Sequence, residues 1–117
     1  MSSDIQINSN EVENALILTI KESKVFDEII VNSINDQIQP ILESNEKPNV
    51  ILNFVNVTYI SSSFLGKIVS MNKKIKAKTQ KFILCGLNEN IMEIFQITRL
   101  DKFFIFQPSV DEAVKNL

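Results

Sequence analysis

Three consecutive serines, Ser61, Ser62 and Ser63, follow the apolar run Val50-Ile51-Leu52-Asn53-Phe54 and the segment Val57-Thr58-Tyr59-Ile60. Seryl hydroxyls placed together can cap a helix, receive a phosphoryl group or act as nucleophiles, and the surrounding residue types decide among these uses. A nucleophilic serine needs a base and an oxyanion site, and the chain contains no histidine, the commonest general base and transition-metal ligand. A serine hydrolase built on Ser62 or Ser63 is therefore disfavoured. Two glycines, Gly66 and Gly86, are too few for a phosphate-cradling loop or a dinucleotide fingerprint. The single cysteine, Cys85, has no partner for an internal disulfide and no histidine to activate it, so it reads as a small core residue. Glu89, Glu93 and Asp101 show no spacing that marks an acid pair. No catalytic residue, metal site or cofactor is expected.

The net charge of −2 and the lone arginine, Arg99, argue against direct nucleic-acid binding, which leans on clustered basic side chains. No apolar run approaches the length of a membrane span. The Met-Ser-Ser-Asp start lacks the basic and apolar segments of a signal peptide, and the unpaired cysteine suits a reducing compartment. A cytoplasmic protein is expected, and 117 residues suit one domain over 1–117.

The elements that must position the serines follow from periodicity. Alternation at Ile5-Gln6-Ile7 gives a weak strand signal and Ala15 to Ile20 a stronger one, together an antiparallel opening pair. Asp27 is a good N-cap, and Ile30, Val31, Ile34, Ile38 and Ile41 recur at helical spacing to about Glu43. Pro40, which costs about 3 kcal/mol inside a helix, predicts a kink or an early end. Ser44 to Pro48 reads as a turn and Asn49 to Phe54 as a buried strand favouring a parallel neighbour. The serines then open a second helix, with Leu65, Ile68, Val69, Asn72 and Ile75 on one face, reaching about Ala77. Phe82 to Cys85 is a strand ending at Gly86. Ile91, Ile94, Phe95 and Leu100 mark a third helix, Phe103 to Phe106 a last strand, and Ser109 caps a terminal helix carrying Val110, Ala113, Val114 and Leu117. The order β-β-α-β-α-β-α-β-α predicts an α/β fold with a mixed, mainly parallel sheet packed with amphipathic helices.

Read against known families, the stretch from Val50 through Ser61-Ser62-Ser63-Phe64-Leu65-Gly66 resembles the STAS domain, named for sulfate transporters and anti-sigma factor antagonists. That family's signature is an apolar strand, a short turn, and Asp-Ser-Ser-Gly-Leu-Gly opening a helix. Phe82-Ile83-Leu84-Cys85-Gly86-Leu87 is similar to the family's next strand. Ile94-Phe95-Gln96-Ile97-Thr98-Arg99-Leu100-Asp101-Lys102-Phe103-Phe104 is similar to its Leu-Phe-x-x-x-Gly-Leu-x-x-x-Phe segment. The likeness spans nearly the whole chain. This sequence departs from the pattern at Ser61, where the family has an acidic residue, and at Phe64, where it has glycine.

The resemblance implies a stand-alone anti-sigma factor antagonist that does no chemistry of its own. It would capture an anti-sigma factor serine kinase, be released when that kinase phosphorylates it, and be reset by a metal-dependent serine phosphatase. The phosphoacceptor implied is Ser63, with Ser62 the second choice, and the partner-binding residues are Ser61, Ser62, Ser63, Phe64 and Lys67. Beyond the second helix's start, Lys67, Lys74, Lys78 and Lys81 share a stripe with Lys73 and Lys76 nearby, either a docking face or simply the solvated side of an amphipathic helix. An alternative reading is a STAS module that is never phosphorylated and serves as a scaffold or small-ligand sensor.

Overall fold

The computed structural model describes residues 6–117. Five strands form the main sheet in the order β1-β2-β4-β6-β7: β1 Ile7–Val12, β2 Ala15–Ile20, β4 Asn49–Asn53, β6 Lys81–Cys85 and β7 Ile105–Gln107. β1 runs antiparallel to β2, and every other neighbouring pair is parallel. The helices are α1 Glu28–Ser44, α2 Ser62–Ala77, α3 Glu89–Ile97 and α4 Val110–Lys115.

Successive residues of a strand face opposite sides of its sheet, and here both sides of the central strands are covered. Leu16, Leu18, Ile20, Val50, Leu52, Phe54, Phe82 and Leu84 meet α1, α2 and α3 in the larger core, through Val31, Ile34 and Ile38, through Phe64, Ile68, Met71 and Ile75, and through Ile91 and Phe95. On the other face, Ala15, Ile17, Ile51, Ile83 and Cys85 pack with Ala113, Val110 and Val114 of α4. Two-sided burial explains why β2, β4 and β6 read as continuous apolar runs.

Two further strands, β3 Lys24–Val25 and β5 Tyr59–Ile60, pair in parallel, with Lys24 opposite Tyr59 and Val25 opposite Ile60. They are too short to leave a period in the sequence, yet they set the geometry of the site. β3 leads through Phe26 and Asp27 into α1, and β5 leads through Ser61 into α2. A parallel bridge therefore delivers both helix N-termini side by side.

The structure corrects the sequence-based expectations in several places. The opening strand is Ile7–Val12, largely exposed at the sheet edge and hence without apolar alternation, while Ile5 lies outside the described residues. α1 continues through Pro40 to Ser44 with no early end. Pro40 and Asp36, whose carbonyl loses its partner, both lie on the exposed side, where water can replace the missing bond. On α2, Val69 and Asn72 are only half-buried, and Phe64 and Met71 complete the inner face.

The last strand is shifted to Ile105–Gln107. Arg99 takes a left-handed conformation (φ 62°), and Leu100–Phe103 form a 3-10 turn before β7 begins. β7 is an edge strand, so its apolar run divides by period two. Phe104 and Phe106 turn inward to meet Phe95 edge-on at ring distances of 5.5 and 5.4 Å, while Phe103 and Ile105 stay exposed. Leu117 lies beyond α4 and is exposed.

Candidate functional site

Ser61, Ser62 and Ser63 play three different parts at the start of α2. Ser61 is the N-cap, with extended backbone, and its hydroxyl oxygen accepts from the Phe64 amide at 3.2 Å. Its own amide donates to the Val25 carbonyl at 2.9 Å, tying the cap to β3. Ser62, the first helical residue, is exposed. Ser63 is half-buried, and its hydroxyl donates to Oε1 of Glu28 at 3.0 Å. Glu28 is the first residue of α1, whose N-cap Asp27 accepts from the Ile29 amide at 2.8 Å. The only hydroxyl of the three bonded to a carboxylate is thus the one matching the family's acceptor.

Three large apolar side chains are exposed at or just before the two helix starts. Phe26, Ile29 and Tyr59 are 58%, 79% and 48% exposed, and the Phe26 and Tyr59 rings lie 5.4 Å apart. Lys24, Phe26, Asp27, Ile30 and Tyr59 line an open groove of about 520 Å³. Beneath the loop before β5, Thr58 is fastened by its amide and hydroxyl to the Ser23 carbonyl at 2.7 and 3.2 Å, and its own carbonyl accepts from the Asn88 side chain at 3.1 Å. These bonds hold the approach to α2 in place.

Phe64 does not join this surface. Its side chain is fully buried in the larger core, because the third helical position of α2 already faces the sheet. The expectation that Phe64 contacts a partner is corrected: the ring anchors the helix start from below. Lys67 stands one helical turn beyond Ser63, half-buried, with no ion-pair partner among the described residues. The rest of the lysine stripe is partly used within the fold. Lys78 donates to the carbonyls of Leu42, Glu43 and Asn45 at 2.9, 3.3 and 2.7 Å, satisfying the open end of α1. Lys74 reaches Gln39 and Glu43. A single docking face along the stripe is therefore not what these two residues build.

Cys85 is buried at the end of β6, its Sγ 3.6 Å from Oδ1 of Asn53. Gly86, at φ 72°, follows because a Cβ there would stand 3.1 Å from both Asn53 Oδ1 and the Val55 amide. Burial pushes the Cys85 thiol up from 9.0 to about 11. Between those values the unfolded chain releases a proton that the fold retains, so stability falls as pH rises from about 9 to about 11. Urea titrations across that window should show the decline in the wild type and lose that part of it in Cys85→Ala. A decline of equal size in both proteins would contradict the assignment.

Among the described residues, no group of three or more His, Cys, Asp and Glu side chains could hold a metal ion, and no helix is long and apolar enough to cross a membrane. The STAS domain model matches residues 6–113, from just before β1 into α4. The chain belongs to the STAS domain family.

Solved structures carry the same fold. An anti-sigma-factor antagonist (STAS) domain protein from Planctomyces limnophilus superposes with a TM-score of 0.86 at 19% identity, over 97% of this chain and 98% of that one. An anti-sigma factor antagonist from Mycobacterium paratuberculosis gives 0.81 at 16%, over 94% and 91%. The Bacillus cell fate determinant SpoIIAA in its phosphorylated form gives 0.71 at 17%, over 94% and 97%. The mixed sheet, antiparallel only between β1 and β2, and the four helices match this STAS architecture.

Within this STAS domain, sequence reasoning missed Glu28, Phe26, Ile29 and Tyr59. A signal existed for one of them. Ile29 is apolar but falls off the inward stripe of α1 set by Val31, Ile34, Ile38 and Leu42, which leaves it 79% exposed beside the N-cap. Glu28 carries no such mark, since an acidic first turn is ordinary helix chemistry.

Proposed function

We propose that this chain is an anti-sigma factor antagonist that works as a protein-binding switch in the cytoplasm, with residues 1–117 acting as one STAS domain. In its unmodified form it captures an anti-sigma factor serine kinase, which frees a sigma factor and so regulates transcription without touching nucleic acid. Phosphorylation of Ser63 by that kinase releases it, and a metal-dependent serine phosphatase resets it. One observation carries the reading: the Ser63 hydroxyl stands half-exposed at the start of α2, bonded to Glu28, which lies in the chain between the exposed Phe26 and Ile29, with Tyr59 against Phe26. Large exposed apolar side chains grouped together are what a protein interface offers. Ser61 and Ser62 supply the rest of the helix start, Lys67 borders it, and Ser62 is the second choice of acceptor.

The switch needs no change of fold. A phosphoserine brings about −1.5 to −2 charges and three strong acceptor oxygens, and the amides at a helix start tolerate such a group. Against a desolvated or acidic partner surface, that charge weakens binding by about 2 to 5 kcal/mol. To test the assignment, the protein is incubated with ATP, magnesium and the serine kinase encoded beside its gene, and the modified residue is mapped by mass spectrometry. Modification at Ser63 is expected. Its absence, or its appearance only away from Ser61, Ser62 and Ser63, defeats the switch.

A second reading, a STAS module that is never phosphorylated and serves as a scaffold or ligand sensor, draws on the exposed apolar residues Ile97, Phe103 and Ile105 of α3, the 3-10 turn and β7. Equal partner affinity before and after kinase treatment favours it.

A further inference from the structure

The first turn of α2 contains no acidic residue, since Ser61 occupies the position at which the STAS pattern places one. A carboxylate nevertheless reaches the acceptor. Glu28 arrives from 35 residues away, on the neighbouring helix, and its Oε1 accepts a hydrogen bond from the Ser63 hydroxyl at 3.0 Å. The parallel β3–β5 bridge makes this possible by setting the two helix starts together.

We propose that Glu28 is the acidic half of the phosphoacceptor site: it holds the Ser63 hydroxyl before modification and is displaced by the phosphoryl group afterwards, so that modification also removes the side-chain link between the starts of α1 and α2. The inference rests on the reading of Ser63 as the acceptor. In the transfer, a bond forms between Ser63 Oγ and the γ-phosphorus of ATP, the bond from that phosphorus to the bridging oxygen of ADP breaks, and the hydroxyl proton leaves to a base of the kinase. Phosphoserine Oγ then has no hydrogen to donate, so the link to Glu28 is lost by necessity. In its place a dianion faces a carboxylate across a few ångströms, and like charges at that range repel even through water. Glu28 is exposed and can swing into solvent. Its departure removes a side-chain hydrogen bond between the first turns of the two helices, next in the chain to Ile29, one of the apolar residues of the proposed interface.

Other charged groups on the segments that meet here are the N-cap Asp27, Lys24 of β3 and Lys67 one turn along α2. A Glu28→Gln substitution leaves all three unchanged and keeps the size of the side chain, so comparing it with the wild type isolates the carboxylate. Phosphoserine is installed at position 63 of the full chain during translation, which makes the test independent of any kinase. The second ionisation of the phosphate is followed by ³¹P NMR as a function of pH. With Glu28 present it is expected about half a unit or more higher than in Glu28→Gln, because the carboxylate, tethered at the first residue of α1 even when turned away, opposes the second negative charge. Glu28→Asp, with its shorter reach, falls between. In the wild type, the amide signals of Glu28 and Ile29 also shift on modification.

Coincident titration curves in the wild type and Glu28→Gln overturn the inference, whether or not Ser63 is a kinase substrate. Conversely, a kinase that ignores Ser63 defeats the proposed switch while leaving the ³¹P comparison to speak for the geometry alone. Near-ultraviolet circular dichroism of each variant confirms that the fold is the same.

Discussion

A Ser63→Asp variant is expected to bind the anti-sigma factor serine kinase about thirtyfold or more weakly than Ser63→Ala does, which corresponds to roughly 2 kcal/mol or more. The choice of pair matters. Both substitutions remove the hydroxyl that donates to Glu28, so whatever that bond contributes is lost equally, and the difference reads the introduced charge. In Ser63→Asp the new carboxylate stands beside Glu28 in the surface proposed for the partner, which would strip its water. An unpaired charge desolvated in an interface is costly, whereas the same charge left at a wet rim changes affinity little.

Isothermal titration calorimetry with the purified kinase measures the two constants directly. Phosphoserine, with more charge than aspartate, should weaken binding further. Because a desolvated charge is poorly screened, added salt should not restore the affinity of Ser63→Asp. Matching affinities for Asp and Ala would place Ser63 outside the covered surface. A larger loss from Ser62→Asp than from Ser63→Asp would move the acceptor to the second choice.

The parts of the site that could be read from the chain are those encoded locally. Asp27 and the serine run announce helix starts because capping chemistry is written in the residue and its next three neighbours, and both helices begin there. The end of α2 near Ala77 and the strand Ala15–Ile20 follow from periodicity and from β-branched composition. The site itself depends on something nonlocal. β3 and β5 are two residues each, shorter than any period, yet their pairing decides that Glu28 rather than a residue of α2 faces Ser63. No spacing rule links positions 28 and 63. The offset of β7 has a similar origin: Phe103-Phe104-Ile105-Phe106 has the composition of a buried strand, but its place at the sheet edge and the left-handed Arg99 before it decide which residues pair.

Phe64 shows the same limit at a single residue, and it makes the second large prediction. Next to three serines at a helix start, a phenylalanine where the STAS pattern has glycine invites a reading as an exposed anchor for a partner. Its complete burial instead makes it one of the largest side chains of the core. Restoring the family's residue in Phe64→Gly should therefore destabilise the protein by at least the 3–5 kcal/mol or so typical of Phe→Ala. The added backbone freedom of glycine in a helix contributes about 0.5–1 kcal/mol more.

That is a large share of the 5–15 kcal/mol or so that holds an ordinary domain together, and urea unfolding followed by circular dichroism would reveal it as a lower midpoint with little change in slope. A loss below about 1 kcal/mol would mean that the ring is not packed as described. Phe64→Leu separates packing from recognition. It retains most of the apolar volume, should lose only about 1–2 kcal/mol, and on the proposed function should bind the kinase within about twofold of the wild type, because the ring lies buried beneath the proposed interface.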